Sequence, residues 1–172
     1  MRGKCAKIRF DVSVNPERAP RPSDAATELR MRTQRQRDTQ CELEIRRKLH
    51  RTGVRYRIDC PPLTDCRRRA DIVIRPARIA IFIDGCFWHK CPLHWKAPHR
   101  NSAWWTEKID SNARRDQETS DLLKQRGWLV IRVWEHEPAD AVVRRIIKAI
   151  CSRRPGWKNS VAASSTQQAG AE

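Results

Sequence analysis

The segment Cys86-Phe-Trp-His-Lys-Cys91-Pro-Leu-His94 places two thiols and two imidazoles within nine residues. The chain has seven cysteines, an odd number, and shows no signal peptide or long apolar run, so its thiols are expected to be reduced and cytosolic. Clustered Cys and His under those conditions point to a metal before a disulfide. Zinc takes four N or S ligands in a tetrahedron, and a structural site is closed. Cys86, Cys91 and His94 supply three. The fourth has three claimants: His136, His89 and His99. His136 is favoured because it follows the apolar run 128–134. If that run is a strand beside 79–83, its end arrives next to the cluster.

A second set of residues suits hydrolysis. Phosphodiester cleavage needs a hard cation, and magnesium takes carboxylate oxygens. Asp71 stands at the head of an apolar β-branched run, where core packing does not account for a carboxylate. Asp84 ends the next such run, and a hairpin would bring the two acids close enough to share a cation. Direct coordination and the orienting of water or of the Gly85 turn are both open to Asp84. His89, three residues after Cys86, would be held rigidly beside the tetrahedron and can exchange a proton near neutral pH. It needs an orienting partner, for which Asp116 on a long helix is the candidate. Glu42 has two readings: a capping box with Thr39, or a carboxylate near the metal.

In order, Asp84-Gly-Cys-Phe-Trp-His89, Cys91-Pro-Leu-His94, Trp104-Trp105, Asn112-Ala-Arg-Arg-Asp116, Gly127-Trp128 and Val133-Trp-Glu-His136 resemble the very-short-patch repair (Vsr) DNA mismatch endonucleases. The segment from Arg30-Met31 to Arg37-Asp38-Thr39, with Glu42 after it, is similar to the family's opening. The likeness runs from about residue 25 to 137. It implies a fold related to type II restriction enzymes and nicking of one strand at T·G mismatches left by deamination of 5-methylcytosine. It implies zinc ligands Cys86, Cys91, His94 and His136. Magnesium would sit at Asp71 and the backbone carbonyl of Ile83, since the position of Asp84 is a histidine in some members. The resemblance also carries a His89–Asp116 pair, a functional Glu42, and Phe87, Trp88 and Trp105 entering the DNA beside the mismatch. The same centre also fits a restriction or defence nuclease.

These residues need elements to position them. Cys41, Ile45 and Leu49 recur every four residues, predicting a helix that ends near Gly53. Short strands are predicted at 56–58, 71–75 and 79–83, the last two as a hairpin. A polar helix is expected over 104–126, ended by Gly127, then a strand at 128–134 that places Trp128 and Trp134 in the core. Pro138 opens a closing helix to 151. The order gives an α/β domain with a central mixed sheet flanked by helices, the restriction-endonuclease-like class, with a structural zinc site.

Lys and Arg number 36 against 20 acids, a formal charge of +16, which suits a polyanionic partner. Arg67-Arg-Arg69 and Arg114-Arg115 are expected phosphate contacts by charge. Residues 1–24 read as a flexible basic arm, 25–152 as the endonuclease domain and 153–172 as a disordered tail. The expected partner is mismatched double-stranded DNA, with mismatch-repair proteins as further partners. The protein is expected to act as a monomer in the cytoplasm, nucleoid-associated and away from membranes.

Overall fold

The computed structural model describes residue 20, residues 24–33 and residues 38–157. The expected arm and tail fall mostly outside the described residues, as do Arg35 and Arg37 of the opening motif.

Helix α1 (Ala25–Thr33) was not predicted from periodicity, because it has no apolar stripe; its Leu29 is exposed. Its run of Ala, Glu and Leu is nonetheless helix-forming in composition. Helix α2 (Gln40–Arg51) starts where Thr39 takes the Glu42 N–H at 3.4 Å, and ends before Gly53 at φ 77°. Strand β1 (Arg57–Cys60) begins one residue later than predicted. Tyr56 is used otherwise: its hydroxyl donates to the Arg46 carbonyl at 2.9 Å, tying the loop to α2.

Strands β2 (Ala70–Ile74) and β3 (Ile79–Asp84) form the predicted hairpin, turned by a 3-10 segment at Arg75–Ala77 and Arg78 in the left-handed region. Helix α3 (Ser102–Gln125) then crosses to β4 (Leu129–Trp134), and α4 (Ala139–Arg153) closes the domain. Gly127, at φ 76°, makes the reversal from α3 into β4.

The sheet order is β1-β2-β3-β4, with β1, β2 and β3 antiparallel and β3–β4 parallel. One face carries Ile72, Ile81, Ile131 and Val133 and packs on α2 and α4 through Ile45, Leu49, Val142 and Ile146. Each such side chain contributes about 1.5–3 kcal/mol on full burial. The other face carries Val73 and Ala80 and meets Leu123 of α3 and Trp128. Trp128 is buried as predicted, whereas Trp134 is only partly so and stacks on His136.

One irregularity matters for chemistry. Residues two apart in a regular strand share a face. Ala70 belongs to the α3-side cluster and Ile72 to the opposite one, so the alternation slips at Asp71. Beyond the Ile72↔Ile81 pair, the Asp71 carboxylate itself accepts the Ile83 N–H at 2.7 Å.

Candidate active site and metal centre

The Cys/His cluster lies at the carboxyl ends of the parallel pair. Register Asp84↔Trp134 sends both chains out at the same level, so the loop after β3 and His136 after β4 meet. Tight turns shape the loop: the Cys91 N–H donates to the Cys86 carbonyl, and the Trp95 N–H to that of Cys91. Glu135 accepts the Cys86 N–H at 2.7 Å. The Cys86 sulfur lies 3.5 Å from His94 Nδ1 and 3.1 Å from His136 Nδ1; the Cys91 sulfur lies 3.6 and 3.8 Å from the same atoms. A tetrahedron with Zn–S near 2.3 Å and Zn–N near 2.0–2.1 Å has S–N edges of about 3.6 Å. Three of those spacings match that edge and the Cys86–His136 one is shorter, so the four atoms could gather around one tetrahedral ion. Burial, with Cys91 beside it, pushes the Cys86 thiol up to about 12; a central cation reverses that by favouring thiolate. His89 and His99 do not belong to this group of four.

His89 instead points to α3. Its Nδ1 lies 2.5 Å from Asp116 Oδ2 and 3.6 Å from Asp84 Oδ1. Asn112 of α3 donates to the Trp88 carbonyl at 3.2 Å, and Lys90 pairs with Asp110 at 2.6 Å, so the loop is seated along the helix. Burial alone would raise the Asp116 carboxyl, but the His89 hydrogen bond and the Arg132 charge outweigh it and hold it below the usual carboxylate range.

Arg132 is the residue that sequence reasoning missed. Its Nε and Nη2 bind the two Asp84 oxygens at 2.6 and 2.5 Å, and Nη2 lies 3.0 Å from Asp116. The guanidinium rests over the Phe82 ring at 5.2 Å. Asp84 is buried at 4% exposure and fully clasped in this way. It is thereby drawn into the His89–Asp116 group rather than pooled with Asp71. An Arg within an apolar run reads as a solvated face; only the β3–β4 register, Phe82↔Arg132, puts it here.

Asp71 lies beside Ile83, outside the Asp84–His89–Asp116 group but within electrostatic reach of Asp84 and Glu42. Burial pushes its carboxyl up to about 6, against the Ile83 N–H bond that lowers it, and Glu42 and Asp84 raise it further. The N–H and C=O of one strand residue point to the same side. The Asp84 carbonyl accepts the Glu135 N–H at 3.0 Å on the β4 side, so the Ile83 carbonyl lies on the β2 side with its own N–H. Asp71 and that carbonyl are therefore neighbours. Glu42 keeps its cap: its oxygens take the Asp38 N–H at 3.2 Å and the Thr39 hydroxyl at 3.1 Å, and it pairs with Arg46 at 2.6 Å.

Phe87, Trp88 and Trp105 form a mutual edge-to-face trio, with centroids 5.2, 5.3 and 5.9 Å apart. Trp88 stays 37% exposed. Of the arginines expected to face phosphate, Arg69 is tied to Asp59 and Arg68 lies 3.9 Å from Glu118, while Arg67, Arg114 and Arg115 are exposed. A further basic groove of about 590 Å³ follows β1 past Arg55 and Arg57 to Cys60, which pairs with Ala70 next to Asp71. It continues along α2 past Arg47 and Arg51.

The profile of the family "DNA mismatch endonuclease Vsr" matches residues 23–95. The type II nicking enzyme V.NaeI of Lentzea aerocolonigenes is 36% identical over 143 residues, 82% of this chain and 86% of that protein. The type II nicking enzyme V.XorIIP of Xanthomonas oryzae pv. oryzae is 34% identical over 112 residues, 64% of this chain and 79% of its own. The DNA mismatch endonuclease Vsr of Escherichia coli is 36% identical over 115 residues, 65% of this chain and 71% of its own.

Proposed function

The chain belongs to the Vsr family of DNA mismatch endonucleases, and from that premise we propose that it nicks one strand of double-stranded DNA at T·G mismatches left by deamination of 5-methylcytosine. The observation that carries this reading is the aromatic trio set beside the His89–Asp116 pair, with Trp88 open to solvent. Rings wedged into a duplex unstack a base step at a cost of a few kcal/mol. A weakly held T·G pair lowers that cost, and the difference gives selectivity.

Asp71 and the Ile83 carbonyl would hold magnesium, whose hard oxygen preference they match. When bound, that ion neutralises the scissile phosphate and acidifies an attacking water. With Nδ1 committed to Asp116, His89 keeps Nε2 as the atom that takes or gives a proton. Zinc on Cys86, Cys91, His94 and His136 would fix the loop that carries both His89 and the aromatic wedge. Exposed arginines along β1 and α2 would track the phosphate backbone toward Asp71.

Relatives named as type II nicking enzymes favour a second reading, a nuclease of the same fold working in restriction or defence. A magnesium-dependent nicking assay on T·G and matched duplexes separates the two. Nicking confined to the T·G duplex is expected. Equal cutting of both would sink the mismatch reading and support the second. Tight binding with no cutting would leave a zinc-stabilised DNA-binding module.

A further inference from the structure

Asp84, His89 and Asp116 offer ligand atoms within 4.8 Å of one another, a spacing that could hold a divalent ion. The place is taken by the chain itself. The Arg132 guanidinium reaches both Asp84 oxygens at 2.6 and 2.5 Å, Asp116 at 3.0 Å, and approaches His89 Nδ1 to 3.5 Å. Its plane is supported by the Phe82 ring, and Asp84 is buried beneath it. Arg holds its charge at all accessible pH values, and its planar fork matches a carboxylate in two-armed fashion. Two carboxylates this near one imidazole repel each other unless a cation lies between them. Asp71 is not a member of this group; it faces the Ile83 backbone.

We propose that Arg132 is the resident cation of the His89 cluster. It excludes a divalent ion from Asp84, His89 and Asp116, and it holds Asp116 in register against His89. It is a positioning residue, acting on the proton-transferring imidazole through Asp116 rather than on the DNA. The site that would take a divalent ion is then confined to Asp71 and Ile83. This inference rests on the endonuclease reading for its kinetic part only, because ion binding can be counted without any cleavage.

The test uses zinc-replete protein and manganese as the probe, counted by the loss of free-ion EPR signal at millimolar concentration. The unsubstituted chain is expected to bind one Mn²⁺ outside the zinc cluster, and Asp71→Asn none. Arg132→Met, close in length but neutral, is expected to bind a second ion, which Asp84→Asn added to it removes. Two ions on the unsubstituted chain, one of them lost in Asp84→Asn, would overturn the proposal. In nicking assays Arg132→Met is expected to lower kcat roughly 100-fold, the scale of misplacing a catalytic group by about 1 Å, with KM for DNA within about threefold. Arg132→Lys keeps the charge without the two-armed grip and is expected to recover part of that loss. An unchanged kcat in Arg132→Met, or equal losses in kcat and DNA affinity, would contradict a positioning role. Should no variant nick any DNA, the endonuclease reading fails while the manganese count still decides who occupies the cluster. Should Arg132→Met not fold, Arg132→Lys carries the count, with one ion expected and two overturning the idea.

Discussion

The Cys/His cluster and the acidic centre lie on one sheet, yet they are assembled in opposite ways. Three of the four cluster residues come from one nine-residue loop, and two of the four are exposed histidines. The acidic centre draws Asp71 from β2, Ile83 and Asp84 from β3, Asp116 from α3 and Arg132 from β4. Its charges are half-buried or buried, so each depends on a partner supplied by another element. The cluster is mostly local and needs only His136 from beyond β4, whereas the acidic centre exists only once four elements have docked. Structure-holding and chemistry are thus expected to separate under mutation.

The largest effect expected is from Asp71→Asn, which removes the carboxylate proposed to hold the cation: nicking should fall to background while DNA affinity changes less than about threefold in a filter-binding assay. Retained cleavage would break the division by taking Asp71 out of the chemistry. Cys91→Ser should act on the fold first. It should abolish the zinc content read by atomic absorption and lower Tm by at least about 10 °C, since a structural zinc carries many kcal/mol of folding free energy. His89→Gln and Asp116→Asn should each cost on the order of 10²–10⁴ in kcat with zinc content unchanged; loss of zinc from either would join the two regions into one. Trp88→Ala should reduce the T·G preference over matched duplex about tenfold, the scale of one base–ring contact.

The last effect is on stability and pH. The Asp71 carboxyl rises from 3.8 to about 6 in the fold. A folded pKa above the unfolded one means that the native state binds more protons between those values. This group's contribution is therefore best below about 4 and is lost as pH rises through about 6. Asp71→Asn should then be more stable than the parent at pH 8 by on the order of 2–3 kcal/mol in magnesium-free denaturant melts. Cleavage should run the other way and increase through pH 6, because the ionised carboxylate is the form that holds a cation. A stability difference that does not vary with pH would place the origin of the effect elsewhere.

The sequence carried the fold where burial imposes a period. Ile45 and Leu49, the β-branched runs of β2 and β3, and the Gly127 reversal were legible because each is a local consequence of which face must be dry. Helix α1 was not, since without an apolar stripe a helix leaves no period to find. At the site the same rule applies. Cys86, Cys91 and His94 announce themselves by density. Asp116 is one acid among several on α3, distinguished only by the His89 ring 27 residues away in the chain. Arg132 had no local signal whatever, because its meaning is a register: it matters that residue 132, and not 131, stands beside Phe82 and within reach of Asp84's carboxylate. Glu42 was legible as a cap, and the cap is what its hydrogen bonds make of it.

The parallel register of β3 and β4 has one more consequence. The same alignment that brings Arg132 to Asp84 also brings His136 to Cys86. Were β4 to dock one residue out of step, its side chains would switch faces. The guanidinium would leave the carboxylate, and the last imidazole would leave the metal, in a single slip. A metal on Cys86, Cys91, His94 and His136 would therefore find all four ligands only where β4 is in register. A misdocked copy would lack both the guanidinium clasp and the fourth member of the Cys/His cluster, so aim and anchorage would fail together.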